Sequence, residues 1–223
     1  MKRIPEPEEL MDEAEQALAY AEADFSASNE LFMDLFRALH PGPFDGTAVD
    51  LGCGPADIPL RFANAYPHSR LDAVDGAQAM LDLAAAAIAE QKLTTRISLH
   101  CNYLPALDLP AKHYDAVLSN SLLHHLNDPA DLWLSIGRSA RPGADILVMD
   151  LLRPETESSA DELVAVYARD APEVLRTDFR NSLFAAYTLD EVRQQLADAG
   201  LDDLEVRQVS DRHLAVSGNS LAL

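Results

Sequence analysis

Cationic side chains are scarce in this sequence: seventeen Lys and Arg stand against thirty-seven Asp and Glu, a net charge of -20 over 223 residues. A protein that neutralises many phosphates needs the opposite balance, so bulk nucleic acid is excluded as a partner. Cysteine is scarcer still. Cys53 and Cys101 lie far apart with no companion at metal-ligand spacing, so neither a disulfide framework nor a bound metal is expected. No apolar run approaches the roughly 18 residues of a membrane span, and the opening MKRIPEPEELMDEAEQ lacks the apolar core of a secretory signal. These absences predict a cytoplasmic protein with no membrane partner. The rest is ordinary: 48% apolar and 24% charged residues suit a soluble globular chain, and the length suits a single domain spanning 1–223.

Hydrophobic patterning divides the chain in two. Leu10, Ala14, Leu18 and Ala21 recur at helical spacing within residues 6–24. Leu31, Met33, Leu35 and Phe36 predict a second helix over about 29–39, ended by His40-Pro-Gly-Pro. Residues 1–45 therefore read as an N-terminal helical cap. From residue 47 onward TAVDL, RLDAV, RISLH, YDAVLS and ADILVMD alternate with helical stretches, the rhythm of βαβ units. The predicted fold is α/β, an open, mostly parallel sheet with helices on both faces. Asp128 before Pro129, the Thr188/Glu191 box and the Ser159/Glu162 box mark helix starts, and Gly200 marks a stop. Residues 155–187 are too long for a simple crossover and are expected to form a helical lid or acceptor-binding insertion.

The strongest chemical signal is Val49-Asp50-Leu51-Gly52-Cys53-Gly54-Pro55-Ala56-Asp57, a strand entering a glycine turn and then a helix. Gly52 and Gly54 let the backbone pass close to a ligand and present amides at a helix start. Counting a dinucleotide fingerprint from Gly52 puts its third glycine at Asp57, a carboxylate that would repel a pyrophosphate, so a nicotinamide or flavin site is disfavoured. Asp50, at the end of the first strand, is suited to orient the loop or accept from a ligand ammonium. Asp75 ends the next strand twenty-one residues after Gly54, where a carboxylate can accept from both ribose hydroxyls. An adenosine with a cationic, phosphate-free tail fits this set, and S-adenosylmethionine is such a molecule. Cys53 has no adjacent base or cation and is expected to be inert.

In order and at matching spacing, DLGCGP, AVDGAQAML, YDAVLSNSLLHHL and ARPGADILVMDLLRP resemble the motifs of the class I S-adenosylmethionine-dependent methyltransferases, over most of the chain from about Ala48 to Val216. The resemblance implies a Rossmann-like seven-stranded sheet, with S-adenosylmethionine as cofactor and S-adenosylhomocysteine as product. It implies Asp75 on the ribose, with Gly76 in the same motif and Met80 near the adenine. Asn102 stands where the family usually has an acid for the adenine amino group, with Tyr103 as stacking neighbour. Asn120 borders the methionine moiety, and the helix carrying Tyr20 and Phe25 occupies the place where relatives fold a helix over the cofactor. The family's third small residue in the loop is usually Gly. Here it is Ala56, which tolerates the turn only if its φ is negative.

The acceptor side is less sharply written. His124 follows the fourth strand, where the transferable methyl should point, and is expected to act as base or orienting partner, with His125 turned away. Adjacent residues on one strand or helix cannot both face a pocket, so a chelating His pair is not expected. Asp150 and Arg153, flanking the end of the fifth strand, and Tyr167, Arg180 and Asn181, in the inserted helices, are further candidates for binding a small-molecule acceptor. Modification of a tRNA nucleoside, or a catalytically silent cofactor-binding module, are the alternatives.

Overall fold

The structure, a computed structural model, describes residues 1–6 and 14–219. Seven strands, β1 (Thr47–Leu51), β2 (Arg70–Asp75), β3 (Ile97–Cys101), β4 (Tyr114–Asn120), β5 (Ala140–Leu151), β6 (Glu205–Gln208) and β7 (His213–Asn219), form one sheet in the order β3-β2-β1-β4-β5-β7-β6. The pairs from β3 through β5 are parallel, while β7 runs antiparallel to both β5 and β6. The order reverses between β1 and β4. Crossovers leave that point toward opposite edges and open a crevice at the carboxyl ends of the strands.

Helices α1 (Ala14–Ala21), α2 (Ser26–Leu39), α3 (Asp57–Ala65), α4 (Gln78–Glu90), α5 (Ala130–Ser139), α6 (Glu157–Tyr167), α7 (Glu173–Ala185) and α8 (Leu189–Asp198) connect and cover the strands. The period of two along each strand separates two cores. Ala48, Ala116, Leu118, Leu147 and Met149 face one way, beneath Phe32, Phe36 and Phe62 of α2 and α3. Val49, Val117, Ile146 and Val148 face the other, against Leu132, Trp133 and Ile136 of α5 and Val192 and Leu196 of α8. Asp50 and Asn120 fall on the first face by the same alternation. They rise toward α2 and α3 at the open end.

Helix starts follow local chemistry. Thr188 and Glu191 make the expected reciprocal box, and Gly200 follows α8 with φ +70°. The helix beyond β5 begins earlier than Ser159: Thr156 is its cap and accepts from the Ser159 N–H, because a β-region residue with a hydroxyl is available one turn before. The Asp128 carboxylate accepts from the Ala130 N–H at 2.9 Å, so it caps α5 while Pro129 takes the flanking position. Of the predicted N-terminal helix, Ala14–Ala21 is helical, and residues 7–13 lie outside the described part. Ala56 corrects the sequence expectation. It adopts φ +74°, left-handed, as does Ser121 at φ +57°, and both sit at the crevice where the chain turns sharply after a strand.

Candidate functional site

A cavity of about 320 Å³ opens at the carboxyl ends of β1, β2 and β4. Its floor is the glycine loop. The Gly52 and Cys53 N–H groups both donate to the Val74 carbonyl at 2.8 Å, which bends the chain away from β1. A Cβ on Gly52 would meet the Leu122 side chain at 2.8 Å, so this residue must be glycine for the loop to close on the β4 turn. A Cβ on Gly54 would meet nothing within 4 Å: that residue, with φ +50°, borders open space.

Asp75 ties the loop to β2. Its two carboxylate oxygens accept from the Gly54 N–H and the Ala77 N–H, each at 2.8 Å, and its remaining lone pairs border the cavity. Burial pushes its pKa up, and the backbone donors offset only part of that. Asp50 is 1% exposed, and among the described residues its Oδ1 has no hydrogen-bond partner. Burial, with the Asp75 charge beside it, pushes the Asp50 carboxyl up to about 8. An acid in that state awaits a cation. Tyr20 is half-buried against the cavity, its ring centroid 4.7 Å from that of Phe25. Burial, and then the Asp57, Asp75, Asp150 and Glu6 charges, hold its hydroxyl protonated far above the ordinary range. Burial likewise raises the Cys53 thiol well above its usual value, which leaves it poorly nucleophilic.

Beyond the loop lies a second wall: Asn29, Asn120, Ser121, Leu122 and His125. The Asn120 Nδ2 donates to Asn29 Oδ1 at 3.3 Å, and Asn120 Oδ1 is buried without a partner among the described residues. His125 Nδ1 lies 2.5 Å from Glu6 Oε2. The segment carrying Glu6 is pinned across this corner. The Arg3 guanidinium donates to the Ala185 carbonyl at 2.6 Å and the His124 carbonyl at 3.2 Å, and lies 4.2 Å over the Tyr187 ring. Burial raises the Glu6 carboxyl, yet His125, His124 and the Ser182 hydroxyl outweigh it and hold the group below the usual carboxylate value.

The methyltransferase-domain family matches residues 48–143, the stretch from β1 to the start of β5. Over 106 residues the chain is 30% identical to an uncharacterised methyltransferase of Mycobacterium tuberculosis, covering 48% of this chain and 51% of that protein. It spans about half, or less, of the length of the curated relatives it matches first. A SAM-dependent methyltransferase from Aquifex aeolicus superposes with a TM-score of 0.67 at 17% identity over 92% of this chain and 97% of that one. Phosphoethanolamine N-methyltransferase 2 of Haemonchus contortus, solved with S-adenosyl-L-methionine, gives 0.65 at 16% identity over 88% of this chain and 43% of that one. Residues 48–143 thus match a methyltransferase domain, and the fold is that of solved S-adenosylmethionine-dependent methyltransferases.

Within this fold, the residues expected to surround the cofactor line one cavity: Tyr20, Asp50, Gly52, Gly54, Asp75 and Gly76, together with Met80, Asn102, Tyr103 and Asn120. The acceptor-side expectations fare differently. His124 is 3% exposed and does not line the cavity, whereas His125 does. The reason is local. The left-handed Ser121 starts a turn rather than a helix, and that turn carries His124 inward beneath β5, where its Nδ1 meets Asp150 Oδ1 at 2.6 Å. Asp150 is thereby committed to His124 and lies outside the cavity. Arg153 is buried too and donates to Glu191 at 2.7 Å and to the Ala186 carbonyl, bracing α8. Tyr167 donates to Asp211 at 2.5 Å, and Arg180 to Asp161 at 2.7 Å, both on the exterior. Neither they nor Asn181 line the cavity, because α6 and α7 pack beyond β5 and not over the crevice.

The turn also brings together what the sequence argued apart: Glu6, His124 and His125 each place a donor atom within 4.8 Å of the others. Their hydrogen bonds account for that closeness, since His124 serves Asp150, His125 serves Glu6, and Glu6 also accepts from Ser182 at 2.5 Å. Sequence reasoning missed His125 and Glu6. A pair of histidines after a strand end signals a site, but which ring faces it depends on one positive φ.

His124 and Asp150 form a buried pair with a structural consequence. Burial opposes protonation of His124, but the Asp150 charge and hydrogen bond override it and raise its pKa above the ordinary value. The contribution is therefore present below pH 6.5 and lost as pH rises through the raised value. His124→Ala should lower stability at pH 6 by about 3 kcal/mol, because Asp150 is left buried without its partner. Denaturant melts at pH 6 and pH 9 check this, and a larger loss at pH 9 than at pH 6 would contradict it.

Proposed function

We propose that this protein transfers the methyl group of S-adenosylmethionine to a small-molecule acceptor, with S-adenosylhomocysteine as the second product. The observation that carries this reading is the pair of carboxylates at the crevice: Asp75 clamps the loop with lone pairs left for ribose hydroxyls, and Asp50 is buried with an unpartnered oxygen. An open face at Gly54 and a cavity free of Lys and Arg among the described residues favour a cationic adenosine over a pyrophosphate. When bound, the cofactor supplies an electrophilic methyl on a sulfonium.

The chain's own residues do the rest. Asp75 would hold the ribose, Met80 and Tyr103 would flank the adenine beside Asn102, and Asp50 would face the ammonium. Tyr20 and Phe25 close the crevice and exclude water, which strengthens every electrostatic contact inside. Asn120 would orient the acceptor, so that proximity and alignment carry most of the rate. We assign the proton-accepting role to His125 rather than His124. Glu6 fixes its ring with Nδ1 as the donating nitrogen, leaving Nε2 to accept.

Asp50 gives a direct test of the cofactor assignment. Its carboxyl, at about 8, is protonated at neutral pH in the empty site, and a cationic ligand must ionise it to bind well. Affinity for S-adenosylmethionine should therefore fall about tenfold per pH unit below pH 8, with proton release on binding, and this dependence should vanish in Asp50→Asn. Calorimetry in buffers of different ionisation enthalpy reads both. Tight NAD binding, or an affinity flat from pH 6 to pH 8, would overturn the reading. The empty protein carries the opposite trend: the fold holds a proton on Asp50 that the unfolded chain sheds near pH 4, so this group's penalty grows from pH 4 to about 8.

A further inference from the structure

Among the described residues, two side-chain atoms in the cavity wall are buried without a partner, Asp50 Oδ1 and Asn120 Oδ1, and both are hydrogen-bond acceptors. The bond from Asn120 Nδ2 to Asn29, itself 4% exposed, sets the amide so that its oxygen is the atom left over. Whatever reacts here must bring donors. The charge of the wall says more. Asp50, Asp57, Asp75, Asp128 and Asp131 line the cavity with no Lys or Arg among them. Asp50 and Asp75 serve the cofactor in the reading above, and Asp128 caps α5.

Asp57 has no such employment. It stands half-buried in the first turn of α3, and among the described residues its carboxylate accepts no hydrogen bond. Burial outweighs the charge of Arg61 one turn on and raises the Asp57 pKa, while Arg61 itself reaches Glu30 at 3.3 Å. The Tyr20–Phe25 ring pair beside it offers π-faces suited to a cation. The acidic side chains of the wall select against a carboxylate or phosphate. An alcohol would satisfy Asn120 but would bring no charge to Asp57.

We infer that the acceptor is an amine, with Asn120 Oδ1 taking one of its N–H groups and Asp57 facing its positive charge. This deepens the methyltransferase reading and rests on it. The ammonium first gives a proton to His125, which passes it to water. The freed nitrogen lone pair then forms the N–C bond as the C–S pair returns to sulfur, leaving a methylated ammonium and a neutral thioether.

The test uses the protein saturated with S-adenosylhomocysteine and three probes on one ring, benzylamine, benzyl alcohol and benzoate, with affinities from ligand-observed NMR. The nucleoside is titrated alone first. Failure of that titration overturns the methyltransferase reading itself, whereas success followed by the wrong selectivity overturns only the amine. Benzylamine should bind at least about tenfold tighter than either analogue, the scale of one desolvated charge contact. Asp57→Asn should erase most of that preference and Asp57→Glu should keep it, a pattern that a merely structural Asp57 would not produce. Melting curves verify that both variants fold. Equal or tighter binding of benzoate or benzyl alcohol, no binding of the amine, or an unchanged preference in Asp57→Asn would each refute the assignment.

Discussion

Replacing His125 by alanine should lower turnover by roughly 10²- to 10⁴-fold, the range for removing a positioned general base, and should leave affinity for S-adenosylhomocysteine within about threefold. The expectation follows from placement. Among the described residues His125 is the histidine that lines the cavity, beside Asn120, and Glu6 pairs with its Nδ1. Glu6→Gln should cost less, about tenfold to a hundredfold, because the ring remains but one nitrogen loses its anionic partner. Steady-state release of S-adenosylhomocysteine with the preferred acceptor reads kcat and KM separately. A drop confined to KM would make His125 a binding residue, and normal kinetics would leave a site working by proximity and desolvation alone.

Asp75→Ala should weaken cofactor binding by several hundredfold, about 3 to 4 kcal/mol, more than a ribose contact alone would suggest. The additional loss comes from the loop. With the carboxylate gone, the Gly54 and Ala77 N–H groups lose their acceptor, and the backbone that must approach the ligand is no longer tied to β2. Asp75→Asn separates the two effects. Its amide oxygen can keep one of the two backbone bonds, so it should lose less affinity than alanine, with calorimetry on all three proteins as the measurement. Equal affinity in Asp75→Ala and the wild type would remove this residue from the site.

The parts of the site legible in the sequence were those fixed by local geometry. A strand, a glycine turn and an acid at the next strand's end must meet at a sheet's switch point, so Asp50, Gly54 and Asp75 could be placed by counting. Fold class was legible for a related reason, since strands buried on both faces are uniformly apolar while the helices between them are not. The acceptor side was illegible because it depends on tertiary detail. His125 faces the cavity only because Ser121 is left-handed, and Glu6 reaches it from 119 positions away. Arg153 and Tyr167 read as site residues from their polarity. Their partners Glu191 and Asp211, distant in sequence, turn them into braces.

The left-handed conformations of Ala56 and Ser121 narrow the directions in which this site can drift. Each sits where an L-residue is strained by about 1 kcal/mol or more, one at the start of α3 and one after β4, so replacement by glycine relieves the backbone and asparagine is readily tolerated. Valine, isoleucine and threonine meet a steep barrier at both positions, whatever their side chains would touch. A lineage descending from this sequence could exchange acceptors by changing residues such as Asp57 or Leu122, but its two turns would stay confined to a handful of small or amide-bearing residues. Novelty in substrate would then arise on the walls of the crevice, with the hinges of the backbone inherited nearly intact.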